Sequence, residues 1–488
     1  GVEVNQVNSH GVTPLIQAAS SGNWSAVEIL LQAGANLELA NKFGTTAQSA
    51  AELFGHNEIA DRLRDLIATN QKNSEVDSNN NNDDLFYAIE INNRELVISS
   101  LNRGANVNQL ASNGWSALNA AALGADSEII NLLLNAGANL ELTDDYGWTA
   151  LFFATWQNQP QIVKQLLMRG ANPEAQDTYG RTPLLYAARD GFNNVIQELI
   201  DTKVNIEHND RYGWSAVFFA IKENHADTVK LLANNGADLN KIDNSGLTPL
   251  IYAARDGKFS ICELLLERGC DYRYSDKLGW NALFFASWKN QPEIIKLLVK
   301  NDASIEQTDE SGNTPLIYAA RDGNCKSILA LFEAGVNLNR CDKIGWNALF
   351  FAVLKTQTEA VRTLINCGAN LECYDIYGWS PLHYAVRNDN QEMIKLLIEL
   401  GANLEHLDEY GRSPLSVAAL YNRQTSLETL IAAGVNIEHL DDYGMSALDI
   451  AEDKFFHDAV LCLVRAGASM SKRNADCGKT LIWAISAG

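Results

Sequence analysis

Eleven glycines stand 33 residues apart, from Gly114 through Gly147, Gly180, Gly213, Gly246, Gly279, Gly312, Gly345, Gly378 and Gly411 to Gly444. The same residue types surround almost every one. A fixed period of this length marks a stack of supersecondary units, each unable to bury its apolar face alone. A single core would ordinarily split into domains at 488 residues, whereas a stack simply lengthens. Each unit touches mainly its neighbours, so function must lie in the surface that the stack displays.

One unit, running from Asp177 to Asn209, shows the local logic. Tyr179-Gly180 forms a turn in which glycine permits a positive φ. Thr182 then offers a hydroxyl at an N-cap, and Pro183 fills the first helical position. Leu184-Leu185-Tyr186-Ala187-Ala188 makes a short first helix, which Asp190-Gly191 ends. Val195, Ile196, Leu199 and Ile200 carry the spacing of a second, amphipathic helix. The cap is Ser, Thr or Asn in every central unit, including Ser116, Thr149, Asn281, Asn347 and Ser446. Most second helices stop at a glycine, such as Gly170 or Gly236, suited to the left-handed C-cap. Lys203 and Asp302 take that place in two units and predict looser turns.

These residues resemble the ankyrin repeat. The family pattern Gly-x-Thr-Pro-Leu-x-x-Ala-Ala stands here as Gly180-Arg181-Thr182-Pro183-Leu184-Leu185-Tyr186-Ala187-Ala188. It returns at Gly246 and Gly312, and begins near the start as Gly11-Val12-Thr13-Pro14-Leu15. The resemblance covers nearly the whole chain. It implies an all-α solenoid of about 14 helix-turn-helix units with β-turn-like projecting loops, stacked in a curve, and a role in binding other proteins.

The period breaks once. Gly44 to Gly114 is 70 residues, four more than two periods, and the residues between include the polar, asparagine-rich run 69–83. That run reads as a loop or linker between N-terminal repeats at 1–68 and a main stack at 84–488. A near-continuous stack with an extruded loop is favoured over two separate stacks, because Leu85 resumes the pattern at once. Gly1-Val2-Glu3-Val4-Asn5 reads as a loop following absent helices, and Ile485-Ser486-Ala487-Gly488 stops just after a first helix. Both ends therefore read as truncated, and a longer protein is expected. A 66-residue period lies over the shorter one: Trp148, Trp214, Trp280 and Trp346 open units of one type, and Gly180, Gly246 and Gly312 open the other. Duplication of a two-unit block accounts for it without function; a partner of matching period is the functional alternative.

The net charge of −22, from 38 basic and 60 acidic residues, argues against nucleic acid or an anionic membrane as the main partner. Eight scattered cysteines fit free thiols in a reducing cytoplasm better than a disulfide framework. No apolar run approaches the roughly 20 residues of a membrane span, and no signal peptide is evident.

In the ankyrin family the turn tips and the exposed side of the first helix line the concave face. Carried over, those positions hold Trp115, Trp148, Arg181, Trp214, Trp280, Trp346 and Trp379 after the turn glycines, and Tyr146, Tyr179, Tyr212, Tyr377, Tyr410 and Tyr443 before them. At the ends of first helices stand Trp156, Arg189, Lys222, Arg255, Trp288, Arg321 and Arg387. Eight of the ten tryptophans fall in these rows, so their placement is not random. Trp, Tyr and Arg dominate binding hot spots, and an exposed aromatic row is costly unless used. The competing reading is structural: the rows stack on one another by cation–π contact, and Asp190, Asp256 and Asp322 complete an Arg–Asp ladder.

His208, His406 and His439 share one loop position, without zinc spacing, and read as structural or solvated. The acidic tips Asp144-Asp145, Asp441-Asp442 and Glu405-His406-Leu407-Asp408 read as solvated. No phosphate-binding glycine loop, nucleophile elbow or paired catalytic carboxylate motif appears, so no catalytic residue, metal or cofactor is expected. The sequence thus predicts a cytoplasmic scaffold that binds a partner protein or an extended peptide along a Trp/Tyr/Arg-lined groove. Two alternatives remain: the recognition or regulatory arm of a larger enzyme, channel or host-directed effector, and a structural spacer in a cytoskeletal assembly.

Overall fold

The threonines and prolines of the repeat open helices where their chemistry dictates. In a computed structural model, which describes residues 4–71, 81–111, 113–124 and 126–469, the backbone at Thr182 is extended (φ −98°, ψ 166°) before Pro183 begins the helix Pro183–Asp190. Thr248 Oγ1 accepts from the Ile251 amide at 3.3 Å, and Asn281 Oδ1 accepts from Leu283 and Phe284. Each first helix is followed by a second, as Asn193–Ile200 follows Pro183–Asp190. The described residues hold 28 helices, hence fourteen helix pairs, and no strand; one isolated bridge joins Leu110 and Ser116. The apolar first helix expected before Gly488 lies outside the described residues.

The chain divides into two compact units, Gly1–Asp238 and Leu239–Gly488. Within each, first helices pack on first helices and every second helix lies behind its own first. Ala187, Ala188, Ala253 and Ala254 are fully buried and let neighbouring first helices approach closely. The largest fully buried side chains are phenylalanines one 66-residue step apart, Phe152 and Phe218 in the first unit and Phe284 and Phe350 in the second.

Second helices end in the left-handed region. Gly170 has φ 94°, and its amide donates to Leu167 O at 3.0 Å. Lys203 (φ 61°) and Asp302 (φ 65°) adopt the same conformation and close the same hydrogen bond, to Ile200 O at 2.8 Å and Val299 O at 3.0 Å. The looser turns predicted there are corrected. The packed helices on either side impose the turn, and two residues carry the steric cost of ~1–2 kcal/mol that glycine avoids.

Two ladders tie each repeat to the next within a compact unit. In the loops after second helices, a side-chain oxygen accepts from a backbone amide 31 residues on: Glu141 from Asn172 (2.8 Å) and Glu207 from Asp238 (2.8 Å) in the first unit, Glu372 from Asn403 (2.8 Å) and Glu438 from Ser469 (2.7 Å) in the second. At the turn tips, the Tyr146 carbonyl accepts from Thr178 N (2.9 Å), and Tyr377 O from Glu409 N (3.1 Å). Helices Asn57–Gln71 and Asn81–Glu90 reach into the asparagine-rich run from both sides, and residues 72–80 between them lie outside the described residues. Asn113 nonetheless donates to the Phe43 carbonyl at 3.3 Å, a tip-to-tip contact that bridges the insertion.

Candidate protein-binding surface

From Gly147 to Gly444 each turn is built on one aspartate. Asp177 Oδ1 accepts from the amides of Tyr179 and Arg181, both at 2.8 Å, and Asp408 Oδ1 does the same for Tyr410 and Arg412 at 2.9 Å. Asp408 and Asp441 are buried, and Asp144 binds the Trp148 amide at 2.8 Å. This corrects the reading of these acidic tips as solvated. Only the second member of each pair, Asp145 or Asp442, is open to water.

The aspartate has a second ligand that sequence reasoning missed. Its other oxygen accepts from a tyrosine nine residues on: Tyr186 to Asp177, Tyr252 to Asp243, Tyr318 to Asp309 and Tyr384 to Asp375, all at 2.6–2.7 Å. Burial, with the Asp309 carboxylate second, pushes the Tyr318 hydroxyl up to about 12. The signal was available in the recurrence of Tyr at 66-residue steps behind an invariant Asp.

The turn holds the preceding tyrosine outward. Tyr146, Tyr179 and Tyr212 in the first unit, and Tyr377, Tyr410 and Tyr443 in the second, are 41–63% exposed. The tryptophans behave differently. Trp148, Trp214, Trp280 and Trp346 are half-buried, each stacked on the phenylalanine four residues on. Trp280 also meets Tyr318 at 4.3 Å and Trp288 at 5.6 Å, and Trp148 meets Trp156 at 5.8 Å. Trp379 is only 8% exposed, so the expectation of an open tryptophan row is corrected: the ring faces are used by neighbouring rings. Trp156, at 44%, is the tryptophan most open to solvent among those predicted.

Three of the arginines are engaged within their own repeats. Arg189, Arg255 and Arg321 each make a two-pronged pair with the next residue, Asp190, Asp256 and Asp322, at 2.6–3.2 Å. Each lies over the tyrosine three residues back, Arg255 at 4.4 Å from the Tyr252 ring centroid. The Arg–Asp pairs are therefore local clasps. Trp288 Nε1 adds a link between neighbouring repeats, donating to Asp322 at 2.6 Å. Burial raises Asp322, and hydrogen bonds from Arg321 and Trp288 more than offset this and hold it below the usual carboxylate range. Arg181 pairs with Asp210 at 3.5 Å and lies over Tyr179, Lys222 sits 5.1 Å from the Trp214 ring, and Arg387 lies over Trp379 and Tyr421. An open hollow of about 510 Å³ is lined by Arg189, Asp190, Glu223 and His225.

The loop histidines are structural. His208, His406 and His439 place Nε2 2.7–3.0 Å from the carbonyls of Gly180, Gly378 and Gly411, and Tyr274 reaches Gly246 O in the same way. His383 is distinct. It is fully buried between Ser380 Oγ (2.8 Å) and Arg412 O (3.3 Å), and burial holds its imidazole down to about 4. The unfolded chain takes up a proton near pH 6.5 that the folded chain refuses until about pH 4, so this contribution is complete above the first value and is lost between them. Thermal melts between pH 7 and pH 4 should fall by the equivalent of about 3 kcal/mol, and His383→Gln should flatten that slope. Equal slopes in the two proteins would remove His383 as the cause.

The sequence profile for ankyrin repeats (3 copies) matches residues 85–177, 157–243, 235–309, 316–408 and 367–441, and that for a single ankyrin repeat matches 10–42. The chain belongs to the ankyrin-repeat family, whose repeats generally mediate protein–protein interaction and whose fold is typically a non-enzymatic scaffold. Among solved structures it is similar to the ankyrin repeat domain of Bcl-3, described as a unique member of the IkappaB protein family, at 26% identity and a TM-score of 0.42, over 45% of this chain and 100% of that one. No curated protein matches. Among the described residues, no three His, Cys, Asp or Glu side chains gather as a metal site, and no helix is long and apolar enough to cross a membrane.

Proposed function

We propose that this chain is a protein-interaction scaffold whose partner docks on the face made by the turn tips and the adjoining ends of the first helices. The observation that supports this reading is the run of three exposed tyrosines on consecutive tips in each unit, Tyr146, Tyr179 and Tyr212, then Tyr377, Tyr410 and Tyr443. Tyrosine supplies large contact area at small entropic cost, and the aspartate-centred turn and tip-to-tip hydrogen bond fix it before a partner arrives. Trp156, Trp288 and the outer edges of the Arg–Asp clasps continue that face toward the ends of the first helices. The clasped arginines give it hydrogen-bond donors with no net charge.

Serine at Tyr377, Tyr410 and Tyr443 should leave circular dichroism unchanged and reduce the proteins captured from a cell extract by the intact chain at least tenfold. Serine at the exposed second-helix residues Met168 and Leu329 should leave that set unchanged. Capture indifferent to the three tyrosines would move docking elsewhere.

A further inference from the structure

The ends of the first helices and the turns that follow them differ in charge between the two units. In the second unit six of these turns, at 255–258, 288–291, 321–324, 354–357, 387–390 and 420–423, carry seven cations and three carboxylates, and the seventh, 453–456, carries one of each, paired with one another. In the first unit the turns at 156–159, 189–192 and 222–225 carry two of each. The protein as a whole has a net charge of −22, so a cationic row is a local inversion.

The three carboxylates in that row are already occupied. Asp256 and Asp322 are clasped by Arg255 and Arg321, and Asp389 accepts from Thr425 Oγ1 (2.7 Å), Ser426 Oγ (2.6 Å) and Gln391 Nε2 (3.1 Å). Burial raises Asp389, and those donors hold it below the usual range. Among the described residues, Lys258, Lys289, Lys355 and Arg387 form no ion pair. Lys289, Lys355 and Arg387 are exposed. Two lie over aromatic rings, Lys289 3.6 Å from the Trp288 centroid and Arg387 5.6 Å from that of Tyr421. The ammonium and the guanidinium themselves rest on these rings, which holds both charges in place at the surface.

We infer that the second unit takes an acidic, extended segment of its partner along this row, with carboxylates meeting Lys258, Lys289, Lys355 and Arg387. The inference rests on the docking face proposed above. Stacked repeats advance about 10 Å and an extended chain rises about 3.3 Å per residue, so neighbouring units read positions roughly three residues apart. Lys289 and Lys355 are two repeats apart and select acidic residues about six positions apart; Lys355 and Arg387, one repeat apart, select a spacing of about three. The acidic remainder of the surface repels the same segment elsewhere and so fixes where it binds.

The test uses the full chain and a fluorescein-labelled peptide of about 18 residues with glutamate at every third position, followed by anisotropy. The variant Lys289→Gln, Lys355→Gln, Arg387→Gln should lose at least tenfold in affinity. A control with the same change in net charge on second helices, Lys300→Gln, Lys326→Gln, Lys395→Gln, should lose less than twofold. Raising the salt from 50 to 300 mM should weaken the intact protein's binding more than the variant's. Equal loss in the two variants, or equal binding of a peptide with glutamine in place of glutamate, overturns the inference. So does tighter binding of an oligothymidylate of similar length, which would assign the row to a phosphate chain. If the tyrosine variant abolishes partner capture while the row variant binds the acidic peptide normally, the docking face stands and the acidic partner falls.

Discussion

Aspartate in place of Leu283 should abolish the folding of the repeats around it while leaving the first unit's melting transition in place. Leu283 is 1% exposed in the helix Ala282–Trp288, between Pro249–Arg255 and Pro315–Arg321. A carboxyl there loses the apolar contact of leucine and finds no hydrogen-bonding partner. It must either stay ionised in an apolar layer or take up a proton, at a cost of about 4 kcal/mol or more. Because repeats are coupled chiefly to their neighbours, the loss should divide the calorimetric profile. A single transition at the original temperature would show that Leu283 lies outside the core.

The second large effect is expected at a turn. Asp309 is 9% exposed and accepts from the Ser311 amide (2.9 Å), the Asn313 amide (2.8 Å) and the Tyr318 hydroxyl (2.6 Å). Asp309→Ala leaves these donors, and the Asn313 Nδ2 that also reaches the carboxylate at 3.3 Å, without that partner and should cost about 3–5 kcal/mol in urea unfolding. Asp309→Asn keeps an acceptor for the two amides but puts an NH2 donor opposite the Tyr318 hydroxyl, and should recover only part of that loss. Burial raises Asp309, and the hydrogen bonds of Tyr318 and Asn313 more than offset this, so its folded carboxyl lies below the ordinary carboxylate range. Its contribution is therefore present above the ordinary carboxylate range and lost on further acidification. Alanine as stable as the native protein would mean that water replaces the carboxylate.

What the sequence disclosed and what it concealed divide along a physical line. Backbone course follows from residues whose effect is local. Thr182 caps because its own hydroxyl reaches its own helix, and Gly170 turns because it lacks a Cβ. The helix pairs and the burial of Leu283 and Phe284 could therefore be read from periodicity alone. Side-chain pairing depends on rotamers and on the offset between neighbouring units, which periodicity leaves open. Asp177 could bind water or Tyr186, and Arg189 could reach a neighbouring unit or Asp190; the sequence permits each. The tryptophans were legible as a row but not as half-buried, since that depends on whether Phe152 and Tyr186 turn toward them. Lys203 and Asp302 show the converse, a local preference overruled by packing. The docking face and its acidic partner stand as proposals, carried by the exposed tyrosines and the cationic row.

The loop ladder bears on how such a chain changes in length. Each rung joins an acceptor to an amide 31 residues on, and it uses groups that nearly every unit carries in the same place. A gene that gains or loses one whole period by unequal recombination therefore creates a junction whose rung is already complete. A gain or loss of any other length leaves an acceptor facing the wrong residue. Inheritance in whole periods is the variation this architecture tolerates most readily, and the 66-residue echo in the sequence has the form that such exchanges leave behind.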